Sequence, residues 1–147
     1  MKGTRFLLFL TVAALLSAGR AMAQSPDRMW SAVVFAANKE KPAAPPGELT
    51  KIEDALKTVF GYNQFTLIGQ HLELMDHPSE RWLIPSKIFC IRVNSKRGGA
   101  NYQLKLQLFQ RTKMLTEFDA KVTRQSPLVI RGPLCEKGQL IFVLMVQ

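Results

Sequence analysis

The chain has no G-x-S-x-G, no glycine-rich loop joining a strand to a helix, two histidines and two cysteines. The first absence removes the nucleophile elbow of the α/β-hydrolases, and the second removes the usual cradle for a phosphate. His71 and His77 do not have the i, i+4 spacing of a helical zinc pair, and no third ligand stands out. Cys90 lies within an apolar run with no histidine placed to activate it. Glu117 and Asp119 share one face of an expected strand, about 7 Å apart. Paired carboxylates can hydrolyse glycosides, but acids on a wet strand face are ordinarily just solvated. No catalytic set, metal site or cofactor is expected. A hydrolase survives only as a site assembled from distant residues.

Apolar runs are also short. Phe6 to Ala18 is nearly unbroken but too brief for a membrane-spanning helix, which needs about 20 residues. Lys2 and Arg5 precede it, and Ala21-Met22-Ala23 follows. Those are the three regions of a secretory signal peptide, so residues 1–23 are expected to be cleaved after Ala23 and the product to be periplasmic or secreted. The remaining 124 residues carry 17 Lys and Arg against 11 Asp and Glu. That length suits one domain with a single core. In an oxidising compartment Cys90 and Cys135 are a possible disulfide, worth roughly 4 kcal/mol on the chain-entropy model. Two unbridged thiols are the alternative.

Helical periodicity occurs once. Within Glu48–Phe60, Leu49, Ile52, Leu56, Val59 and Phe60 form one apolar stripe, and Gly61 is placed to end the helix. The stripe must dock, most simply on a sheet; a membrane-surface helix would want a more basic polar face. Before it, polar residues 24–29 lead into a strand at Trp30–Ala36. Pro42, Pro45 and Pro46 then read as a spacer of polyproline character. Beyond Asn63 only strands are expected. They cover Phe65–Met75 with a bulge at Gly69, Trp82–Ile84, Lys87–Val93, Asn101–Leu108, Met114–Val122, Leu128–Ile130 and, after a turn at Gly132-Pro133, Leu140–Val146. Strict alternation from Tyr102 to Leu108 means one buried and one wet face, hence an antiparallel sheet. The continuously apolar Leu140–Val146 is expected at the sheet centre. The fold class is mainly β with one helix: an antiparallel sandwich or partly closed barrel of about seven strands. Its parts are a leader (1–23), an N-terminal strand and linker (24–47), and a single β-rich domain (48–147).

Charge is divided unevenly along the chain. Glu48 to Glu80 holds six acidic and two basic residues, whereas Arg81 to Arg131 holds eleven basic residues and only Glu117 and Asp119. Such asymmetry points to an anionic partner. The candidate anion-binding residues are Arg92, Lys105 and Lys121 on strands, and Lys96, Arg97, Arg111 and Lys113 in hairpin turns. The competing reading is that these cations only discourage edge-to-edge aggregation. Nucleic acid is not favoured, because aromatics are not interleaved with the basic residues.

Phe60-Gly-Tyr-Asn-Gln-Phe-Thr-Leu-Ile-Gly69, Trp82-Leu-Ile-Pro-Ser-Lys-Ile-Phe89, and Pro127–Pro133 followed by Lys137-Gly-Gln-Leu-Ile141 together resemble small exported bacterial proteins of uncharacterised function. The resemblance covers Leu49 to the C-terminus and implies no activity. Two expectations follow from the residues. One is a non-enzymatic binding or assembly module of the cell envelope, whose N-terminal strand pairs with its own sheet or with a partner's edge. The other is a binder of anionic polymer or lipid.

Overall fold

The computed structural model describes residues 25–124 and 126–147. The expected signal peptide lies outside the described residues. No helix among the described residues is long and apolar enough to cross a membrane.

Among the described residues, eight strands form two four-stranded antiparallel sheets: β1 (Asp27–Ala37), β2 (Gln64–Met75), β3 (Ser79–Pro85), β4 (Phe89–Gly98), β5 (Asn101–Gln110), β6 (Lys113–Thr123), β7 (Leu128–Cys135) and β8 (Gly138–Val146). One sheet has the order β2-β1-β8-β7 and the other β3-β4-β5-β6. The result is a sandwich, not a closed barrel.

Alternation decides which side chains meet. Met29, Val33, Phe142 and Leu144 face Ile84, Ile91, Val93, Leu104, Leu106 and Leu108 across the inter-sheet core. The opposite face of the first sheet offers Trp30, Ala32, Val34, Ala36, Ile141 and Val143, which pack under Leu49 and Leu56. Those two residues come from a 3₁₀ segment, Gly47–Ile52, and from helix α1, Glu53–Phe60. The β2-β1-β8-β7 sheet is therefore covered on both sides, and we call it the covered sheet. Among the described residues nothing packs over the outer face of the β3-β4-β5-β6 sheet, and we call it the open sheet.

The apolar β8 is central, as its composition requires, and is buried over all but its last residue. Gly69 sits at a bulge where the β1–β2 register slips. Several boundaries differ from the sequence reading. Strand β1 begins at Asp27, three residues before Trp30, and Asp27 is buried. The helical stripe begins as a 3₁₀ turn, and Val59 points to solvent at 64% exposure. Gly132-Pro133 is no turn but a register break inside edge strand β7, where proline loses no ladder bond. Strand β1 is the second strand of the covered sheet, paired on both sides, so it has no free edge to lend a partner.

Cys90 and Cys135 are free thiols. Cys90 is in step with Arg92 and Asn94, on the opposite face of β4 from buried Ile91 and Val93. Cys135 packs on the inter-sheet core. The two side chains belong to different faces of different sheets, and this separates them.

Candidate open-face binding site

The open face is built from hairpin register. Ser79, Lys96, Gln103 and Lys121 fall in one cross-strand row, and Arg81, Asn94, Lys105 and Asp119 in the next. A third row holds Leu83, Arg92, Gln107 and Glu117, and a fourth Pro85, Cys90, Phe109 and Met114. Neighbouring strands lie about 4.8 Å apart, so Lys96 and Lys121 attach roughly 10 Å from each other. The first two rows line an open depression of about 1150 Å³. A smaller one of about 570 Å³, between Arg81, Leu83, Arg92 and Gln107, continues it towards the third row.

Not every cation there is available. Lys105 Nζ lies 3.3 Å from Glu117 and 3.9 Å from Asp119. Glu117 is held below the ordinary carboxylate range by hydrogen bonds from Gln107 and Lys105 and by the Lys105 charge. Arg92 stacks over Phe109 at 5.0 Å. Arg81 Nε donates to Asn94 Oδ1 at 2.8 Å. Among the described residues, Lys96, Lys121 and Arg81 have no carboxylate partner. These three present unneutralised positive charge around the depression.

The seven candidate residues do not form one site. Arg92, Lys96, Lys105 and Lys121 share the open face. Lys96 and Arg97 belong to strand β4, which continues to Gly98, and not to the turn expected there. Arg97 is one residue out of step and turns away, so that its Nη2 donates to Tyr102 Oη at 3.0 Å. Arg111 and Lys113 flank the β5–β6 turn at the other end of the sandwich. Arg81, Asn94 and Gln103 join the face without having been singled out. The cross-strand register was the missing signal.

The end near the β4–β5 turn holds a buried polar cluster that sequence reasoning missed. Tyr102 Oη donates to Asp27 Oδ2 at 2.6 Å, and Arg124 Nε donates to both Asp27 oxygens at 2.8 and 2.9 Å. Burial opposes charge on Asp27, but the hydrogen bonds from Tyr102 and Arg124, with the charges of Arg124 and Arg97, hold its carboxyl below the ordinary value. Burial, then the bond to Asp27, pushes the Tyr102 phenol up. Every group here is satisfied by its neighbours, so the cluster works as a clasp between the sheets.

At the β2–β3 turn, His77 Nδ1 lies 2.7 Å from Asp76 Oδ1 and 2.9 Å from Glu80 Oε1. His71 is not part of this group, since its Nε2 lies 2.6 Å from Glu73, but Asp76, His77 and Glu80 come together in space and could hold a proton or a cation. The hydrogen bond to Glu80 and the charge of Asp76 raise the His77 pKa.

Comparison with known proteins returns no match: no family model, no curated protein and no solved structure matches this chain.

Proposed function

We propose that the chain is an exported, non-catalytic binding module of the bacterial cell envelope that holds an anionic polymer on its open sheet face. The observation that carries this reading is the wide depression bordered by Arg81, Lys96 and Lys121. Cations about 10 Å apart on a flat sheet do not converge on one small anion. They suit charges repeated along an extended chain, whose polar backbone Asn94 and Gln103 could contact. The signal-like leader supports export, where such polymers are found.

Binding of this kind is steered by charge and screened by salt. Heparin, as a sulfated polysaccharide probe, should bind at low salt and release as salt is raised. The double variant Lys96→Glu/Lys121→Glu should lose most of that affinity, because it inverts two unpaired charges. An unchanged affinity in the double variant contradicts the reading.

A second reading, assembly with an envelope protein, is favoured by edge strand β6. Its first five residues, Lys113 to Glu117, are all exposed, and among the described residues one side of its backbone has no strand beside it. An edge of that kind accepts an added strand. Replacing Thr116, which pairs with Leu108 of β5, with proline should weaken such pairing, with heparin affinity measured alongside to check that the open face is retained.

A further inference from the structure

The end of the sandwich opposite the Asp27 clasp combines apolar side chains with uncompensated cations. The β3–β4 turn carries Lys87 and Ile88, and the β5–β6 turn carries Arg111 with Lys113 and Met114 just beyond it. Ile88 and Met114 are each 50% exposed, and Leu115 beside them is 39% exposed. From Arg81 to Thr116 the chain has eight Lys and Arg and no Asp or Glu. The two turns form one projecting tip, because Arg111 N–H donates to the Ile88 carbonyl at 3.0 Å.

The tip is also held in shape. Ser86 Oγ donates to the Phe89 carbonyl at 2.6 Å, and Ser86 N–H donates to the same carbonyl at 3.0 Å. Behind it, Gly69 of β2 is so close to Pro85 that a Cβ there would lie 1.8 Å from the Pro85 carbonyl oxygen. The turn that carries Ile88 is therefore held in shape before contact, which lowers the backbone ordering cost.

We infer that this tip docks the module on a membrane surface containing anionic lipid. Ile88 and Met114 would enter the boundary between headgroups and acyl chains, with Lys87, Arg111 and Lys113 at headgroup level. An apolar tip ringed by cations has the composition of interfacial membrane contacts, and basic residues near an anionic leaflet strengthen such a contact. Soluble polyanions offer no apolar phase, so the apolar pair singles out lipid as the occupant. Met114 lies in the fourth row of the open face, whereas the depression is lined by the first two rows and stays free for polymer, so this inference stands apart from the polymer reading.

The test compares wild type with Ile88→Ser/Met114→Ser and with Lys96→Glu/Lys121→Glu, all with the same N-terminus as read by intact mass. Each is mixed with vesicles of phosphatidylcholine carrying about one third phosphatidylglycerol and, separately, with heparin. The serine variant should lose vesicle affinity at least about tenfold, since two apolar side chains no longer leave water, while keeping its heparin affinity. The open-face variant should do the reverse. Hydrogen exchange on vesicle addition should slow at Ile88–Phe89 and Arg111–Met114. Unchanged vesicle affinity in the serine variant, absence of wild-type binding to the anionic vesicles, or exchange protection elsewhere but not at the tip overturns the inference. Each leaves the heparin result to judge the open face on its own.

Discussion

Asp27 accepts hydrogen bonds from two partners distant in sequence, Tyr102 and Arg124, and its side chain is 11% exposed. Asp27→Asn removes the charge that both donors complement and sets an amide against the guanidinium. It should cost about 1–3 kcal/mol in urea unfolding, the usual penalty when a buried polar partner is lost. The pH dependence follows from the direction of its shift. The folded carboxyl titrates below the unfolded one, so its contribution is complete above about pH 4 and is lost as pH falls through the folded value. Wild type should show this acid limb in its stability profile, and Asp27→Asn should show a smaller one. His77 has the opposite sign. Its folded pKa is raised, so any stabilisation is complete below about pH 6.5 and fades as pH rises through the folded value. An NMR titration of the His77 ring should show a midpoint above that of a free histidine, moving down in Glu80→Gln.

Among the elements, the hairpins set the geometry and a few glycines allow close contact. A Cβ on Gly138 would sit 2.1 Å from the Ala36 carbonyl oxygen. Gly138→Ala must therefore push β8 away from β1 at the centre of the covered sheet, and it should destabilise by about 2 kcal/mol or more. Gly61→Ala meets nothing within 4 Å and pays only for a φ of 73°, so about 1 kcal/mol is expected. Thermal unfolding of the two variants separates crowding from backbone strain. Periodicity made much of this scale readable. The alternation of β5 and the apolar run of β8 report burial directly, and the helical stripe does so at Leu49 and Leu56 but not at Val59. Gly132-Pro133 misled because its composition is that of a turn. In the fold, Gly132 instead lies against Leu140 and Phe142, where a Cβ would come within 2.9 Å. Asp27 was unreadable because its partners lie 75 and 97 positions away, and no local pattern encodes such pairings. The open face was half readable. Charge composition singled out its lysines, but only the register separates Lys96 from its neighbour Arg97.

For the whole molecule, the helical segment, the covered sheet and the open sheet form three layers. The helical segment occupies one outer face, and the other is left to polar rows and cations. Arg131 illustrates the division. Although it belongs to the basic half of the chain, it stacks over Phe60 at 4.9 Å on the helix side and adds nothing to the open face. Total charge is therefore a poor guide to the working surface; the sheet face on which each cation sits decides. The most direct test is heparin affinity measured against salt concentration for wild type, Lys96→Glu/Lys121→Glu, and an Arg131→Glu control. Wild type and control should bind at low salt and weaken steeply as salt rises. The double variant should be about tenfold weaker or more at low salt, with a flatter salt response, since two unpaired surface charges are inverted. Equal affinities and equal salt slopes in all three would contradict the open face as the binding surface.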